Sequence, residues 1–173
     1  NPVARVSAKP VTLRLQLPHH PQEIPRMPAY SIIDVDTHVT ESADLWTSRV
    51  PARMRDAVPQ LVKDKRGRHM WFLNGKPIAK LGLSATAGVG DMKDPPDHYD
   101  DMHPGAFDAK ARLAYMDEMG IWAMVMYPNV GGFGSQVFLQ LGDPELMLTC
   151  AKVYNDWQTE WASADRRRLL PII

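Results

Sequence analysis

Residues 121–127 read IWAMVMY, an unbroken apolar run closed by Pro128 and Asn129. A strand with one wet face alternates apolar and polar side chains, whereas a run of strand length without a polar break suits a strand covered on both faces, the habit of parallel sheets. The flanking residues extend that reading. Upstream, FDAKARLAYMDEMG (107–120) predicts a helix with Asp108 as N-cap. Ala109, Leu113, Met116 and Met119 or Gly120 share one face, and Gly120 is the stop. Downstream, GDPELMLTCAKVYNDWQTEWASA (142–164) opens with Asp143 as N-cap and Pro144 in the first helical position. Met147, Cys150, Ala151, Tyr154, Trp157 and Trp161 follow at helical spacing and read as a core stripe rather than a cofactor box. RRRLLPII (166–173) then begins another apolar strand, so the alternation is that of a parallel sheet with right-handed crossovers.

The first strand of this series runs from about Tyr30 to His38 and carries most of IIDVDTHVTE (32–41). Side chains alternate along a strand, so Ile33, Val35 and Thr37 share one face and Asp34, Asp36 and His38 the other. The expectation is that the three polar groups open into one pocket while Ile33 and Val35 pack against helices. Residues 121–127 should pair in parallel with this strand, and 169–173 should extend the same sheet. In such sheets functional groups gather at the carboxyl ends of the strands. Asp36 and His38 sit there, two residues apart, as a carboxylate oxygen and an imidazole nitrogen suited to Zn, Mn or Fe. The competing reading is a polar strand end, because a catalytic zinc normally takes three protein ligands and a water.

Residues 39–105 form a long excursion after that strand. Within it SRVPARMRDAV (48–58) reads as a short helix with Pro51 near its start, and HMWFLNGKPIAKL (69–81) as a hairpin about Asn74-Gly75 with Pro77 on an edge strand. GVGDMKDPPDHYDDMHPG (88–105) has loop composition. GGFG (131–134) lacks the third glycine of a dinucleotide fingerprint and reads as an active-site loop or plain turn. Cys150 reads as a buried, inert thiol, and DRRR (165–168) as a solvated helix end. Residues 1–28 hold six prolines and one acid, Glu23, and read as an arm in which VTLRLQL (11–17) alternates as a short strand would.

Twenty basic and twenty acidic side chains cancel over 173 residues, so no net field favours nucleic acid or an anionic membrane. The expected partner is a small-molecule substrate, and no apolar run has the length of a membrane span. A single cysteine excludes an internal disulfide and fits a reducing, cytoplasmic setting.

IDVDTHVTE followed by DLW, then YDDMHPGAFDAKARLAYMDEMGIWAMVMYPN, DPELMLTCAKVYNDWQTEWA and RRRLLPI together resemble the amino-terminal part of the amidohydrolase-related (amidohydrolase 2) family of metal-dependent hydrolases. That branch includes the aminocarboxymuconate semialdehyde and resorcylate type decarboxylases. The likeness runs over about residues 30–173. It implies an α/β fold, the amino-terminal part of a (β/α)8 TIM-type barrel, incomplete, with a long insertion (about 39–105) after the first strand. The arm (1–28) stands apart from this barrel section (29–173).

The resemblance also implies a divalent metal, Zn2+ or alternatively Mn2+, with Asp36 and His38 in the positions of the family's first-strand ligands. Asp34 matches an acid that supports the site through hydrogen bonds, and Glu41 the motif's last acid, either a cap of the next turn or a substrate contact. His103 in DMHPG is a further candidate from a loop, against a structural role in its His-Pro turn. The family's remaining ligands, a histidine and an aspartate from later strands, have no match among the other histidines, and no catalytic residue is assigned. The implied activity is hydrolysis of a small carbonyl- or carboxylate-containing substrate, with decarboxylation by a carboxy-lyase as the alternative. A non-catalytic, truncated chain needing a partner is the third reading: a (β/α)8 barrel takes roughly 250 residues. Unpaired sheet edges would then favour a homo-oligomer, and the chain would be inactive alone.

Overall fold

The computed structural model describes residues 32–83, 85, 95–130, 136–139 and 141–173. The proline-rich arm with its 11–17 strand, the start of the 88–105 loop and the GGFG stretch lie outside them. In chain order the elements are β1 (Ile32–Val39), a 3-10 turn (Ala52–Met54), β2 (Gln60–Lys63), β3 (His69–Leu73) and β4 (Lys76–Lys80). Two further 3-10 turns (Tyr99–Asp101 and Pro104–Ala106), α1 (Ala109–Glu118), β5 (Ile121–Pro128), α2 (Gln136–Leu139), α3 (Pro144–Ala162) and β6 (Leu169–Pro171) follow.

The chain is a mixed α/β structure whose parallel sheet has the order β1-β5-β6. β5 lies in the middle, pairing in parallel with both neighbours, as its apolar run requires. Ala123, Met124 and Met126 of β5 are buried. Ile172 continues the β6 pairing by donating its N–H to Met126 O at 3.0 Å.

Local chemistry explains the helices. Asp108 Oδ1 accepts the Ala111 N–H at 2.7 Å and starts α1, and Asp143 Oδ1 accepts the Glu145 and Leu146 N–H groups and starts α3 behind Pro144. Such caps contribute about 1 kcal/mol each. α3 buries Leu146, Cys150, Tyr154, Trp157 and Ala162 on the face that also carries Gln158, whose Nε2 donates to Met126 O at 2.9 Å and docks the helix on β5. Full burial of each large apolar side chain is worth roughly 1.5–3 kcal/mol, so this face holds the helix far more firmly than its cap does. Burial pushes the Cys150 thiol up to about 12, as an inert core thiol requires.

The excursion is more ordered than its sequence suggests. Residues 60–80 form a three-stranded antiparallel sheet, β2-β3-β4, in which QLVK, unread as a strand, pairs with HMWF. The hairpin turns at Asn74 (φ 51) and Gly75 (φ 72), the left-handed pair a type I′ turn needs. Pro77 lies on the edge strand β4, where its missing N–H costs no ladder bond. The predicted helix at 48–58 is only one 3-10 turn behind Pro51.

Trp46 joins the excursion to the main body. Its ring meets Trp71 of β3 edge-on at 5.3 Å, Phe138 of α2 at 5.9 Å and Tyr154 of α3 at 6.1 Å, and its Nε1 donates to Cys150 O. Gly82, just beyond β4, lies under Pro96, and a Cβ there would fall against the Pro96 carbonyl oxygen. Gly82→Ala should therefore destabilise by about 1–3 kcal/mol, the usual range for overpacking, in urea denaturation; an unchanged midpoint would show that the crossing is loose.

Two expectations are corrected. Ile33 and Val35 do not pack against helices: they are 58% and 62% exposed. β1 is the outer strand of its sheet, and α1 packs on β5 and on the Pro104–Ala106 turn instead. The DRRR stretch is not simply a solvated helix end. Arg168 donates to the carbonyls of Ile121 and Trp122, and its Nη1 lies 2.7 Å from Asp117 Oδ1, so it ties the entry of β6 to that of β5.

Candidate metal centre

His38 is held by its backbone neighbours across the sheet. Its Nδ1 lies 2.9 Å from Pro128 O, and since a carbonyl only accepts, Nδ1 carries the proton. In that tautomer the ring's lone pair lies on Nε2. This is the way metal-binding histidines are fixed in tautomer and orientation by an outer hydrogen bond. Tyr127 stacks at a tilt, 6.0 Å between ring centroids.

Asp36, two residues earlier, is exposed, and its N–H donates to Asp34 Oδ1 at 3.1 Å. The simple alternation of the sequence reading is interrupted here. Asp34 is opposite Met124 and Thr37 opposite Met126, so three steps on β1 match two on β5, a bulge. Thr37 uses its hydroxyl to hold Val125 O at 2.8 Å just beyond the bulge. Such irregularities re-aim side chains next to functional sites. Among the described residues, no three His, Cys, Asp or Glu side chains converge as a metal cage. β1 carries a carboxylate and an imidazole of the chemistry a divalent metal accepts, short of a full set among the described residues.

Beneath this strand end lie two buried charged residues whose depth gave no signal in the sequence. Glu41 is fully buried, and its Oε1 accepts the N–H groups of Asn129 and Val130 at 2.9 and 2.8 Å, so it caps the exit of β5 rather than the turn that follows it in the chain. Tyr99 donates to the Glu41 carbonyl at 2.6 Å. Burial raises the Glu41 carboxyl to about 7 despite the two N–H groups that favour its charge. The Tyr154 hydroxyl lies near, raised well above its ordinary value by burial and then by the Glu41 carboxylate.

Arg112 of α1 is the second. It reaches under β1, with Nη2 donating to His38 O at 2.9 Å, Nε to Gly105 O and Nη1 3.4 Å from Met124 Sδ. Burial lowers it to about 10, with Tyr115 and the Asp34 carboxylate acting the other way. His103 is exposed. Its Nδ1 accepts the Gly105 N–H at 3.0 Å and its ring leans on Tyr115, which is work for the His-Pro turn.

The chain is similar to the crystal structure of an amidohydrolase from Mycobacterium avium subsp. paratuberculosis K-10, with a TM-score of 0.59 at 22% identity. The match covers 83% of this chain and 42% of that one, so the chain spans less than half the length of the protein it resembles. At that identity the likeness is one of fold. No protein-family model and no curated protein matches the sequence. Among the described residues no helix is long and apolar enough to cross a membrane.

Proposed function

We propose that this chain is the first section of a (β/α)8 barrel of the amidohydrolase 2 type, and that Asp36 and His38 supply the first-strand ligands of a divalent metal, zinc before manganese. The observation that carries the reading is the His38 Nδ1 contact to Pro128 O at the carboxyl end of the parallel strands, which puts the ring's lone pair on Nε2, the atom proposed to meet the metal. The fold likeness to an amidohydrolase supports it. Bound there, a metal would supply Lewis acidity toward a carbonyl and a water acidic near neutral pH. The chain's own residues hold the ligands. Pro128 O orients His38, Asp34 braces the Asp36 backbone, and Arg112 anchors the His38 carbonyl. The substrate is a small molecule with a carbonyl or carboxylate, and the reaction is hydrolysis.

Two donors hold zinc weakly, so the readout must be local. In an NMR titration of the labelled chain with zinc, the His38 ring signals should move before those of the other histidines. Asp36→Ala should weaken the response by more than the roughly ten-fold that loss of an outer partner costs. Zinc response at His69 and His98 with His38 unmoved would sink the assignment.

A further inference from the structure

Away from the strand ends, two histidines face each other. His69 opens β3 and His98 precedes the Tyr99–Asp101 turn, with their Nδ1 atoms 3.1 Å apart and their rings nearly perpendicular at 79°. The backbone closes the same junction. His69 N–H donates to Asp97 O at 3.1 Å, and Leu81 N–H donates to His69 O at 3.4 Å. Both sides of the junction lead directly to the buried groups beneath β1. From His98 the next residue is Tyr99, whose hydroxyl holds the Glu41 carbonyl. From His69 the bonded neighbour is Leu81, whose carbonyl accepts Asn129 Nδ2 at 3.2 Å.

We propose that His69 and His98 form an acid-sensitive latch that clamps the antiparallel sheet to the segment carrying Tyr99, and that opens when both rings are protonated. The chemistry follows from the proton count. A bond between two Nδ1 atoms needs one N–H and one lone pair, which the pair has when both rings are neutral or when one is protonated. A second proton puts two N–H groups and two like charges at the same contact, and the bond is lost.

The surrounding charges oppose protonation of the closed pair. Lys63 is in register with His69 on β2, and burial, then the His98 charge, then Lys63 lower the His69 pKa below its ordinary value of 6.5. The Asp64–Arg68 ion pair spends its carboxylate locally, at 2.7 Å. Asp97 approaches His69 through its backbone carbonyl, and Lys80 lies on β4 opposite Met70. The sign is that of a base whose folded pKa is depressed: the latch is intact above pH 6.5 and is lost as pH falls through the lowered value.

Amide hydrogen exchange by NMR tests this, with rates corrected for the intrinsic pH dependence. Between pH 7 and pH 5 the His69 and Leu81 amides should lose protection by clearly more than about two-fold. In His98→Gln, which keeps a side-chain polar group but cannot charge, and in the reciprocal His69→Gln, protection should stay level over the same range. A wild-type chain whose two amides change less than about two-fold, or a fall that persists in both glutamine variants, would overturn the latch.

Discussion

Glu41→Ala should be among the most damaging single substitutions in this chain, lowering stability by on the order of 4 kcal/mol, while Glu41→Gln, compared at pH 8 where the wild-type carboxyl is ionised, should cost less than about 1. The alanine variant leaves the Asn129 and Val130 N–H groups buried without an acceptor and opens a cavity at a fully buried position. The glutamine variant keeps a carbonyl oxygen for both N–H groups and stays neutral. The same pair of proteins reads out the carboxyl's titration. Its pKa is raised from 4.5 in the unfolded chain to about 7 in the folded one. The folded state therefore holds the extra proton between those values. The contribution is fully present below pH 4.5 and is lost as pH rises through 7, amounting to on the order of 3 kcal/mol.

Urea denaturation from pH 4.5 to 8 should show wild type gaining on Glu41→Gln as pH falls. The His69–His98 pair acts in the opposite direction over part of that range but is common to both proteins, so the difference between them isolates Glu41. Parallel stability curves for the two would mean that Glu41 keeps its charge when buried.

The contrast between what the sequence shows and what it hides has a physical pattern. Signals that act within one element were legible: the apolar run of β5, the Asp108 and Asp143 caps, Pro144, and the Asn74-Gly75 turn all depend on neighbours a few residues away. So was the parallel order of the three strands, because an apolar run of that length has few other uses.

What was hidden depends on partners far along the chain. The bulge in β1 exists only relative to β5, and without it Asp34, Asp36 and His38 look like a plain alternating face. Glu41 reads as a polar residue after a strand, and its burial is set by Asn129, Val130 and Tyr154, roughly ninety residues or more away. The α1 face read as Ala109, Leu113, Met116 and Met119 or Gly120 is in fact deepest at Arg112 and Met116, and Met119 is exposed. No periodicity rule places a guanidinium in a core, and only the two carbonyls waiting there do so.

Those carbonyls make Arg112 the second large effect. Its planar fork reaches Gly105 O through Nε and His38 O through Nη2, binding α1, the turn before it and β1 with one side chain. At about 10 the buried guanidinium keeps its charge at neutral pH, and the Asp34 carboxylate helps it do so. Arg112→Met, which keeps the apolar stem, strips both carbonyls of a charged donor, and bonds of that kind are worth about 1.5–3 kcal/mol each. The expected loss is therefore on the order of 4 kcal/mol in urea denaturation. Arg112→Lys should recover less than half of it, because an ammonium on a flexible stem cannot serve two carbonyls in the geometry of a fork.

The loss should also reach the candidate metal centre, since the His38 carbonyl is one of the two bonded groups. In Arg112→Lys, folded and measured well below its denaturation midpoint, the His38 ring should respond to zinc about ten-fold more weakly than in wild type, the scale on which outer-shell partners act. Undiminished zinc response at His38 in a destabilised Arg112→Lys chain would confine Arg112 to the fold. A diminished response with wild-type stability would instead make it a group that acts mainly by positioning His38.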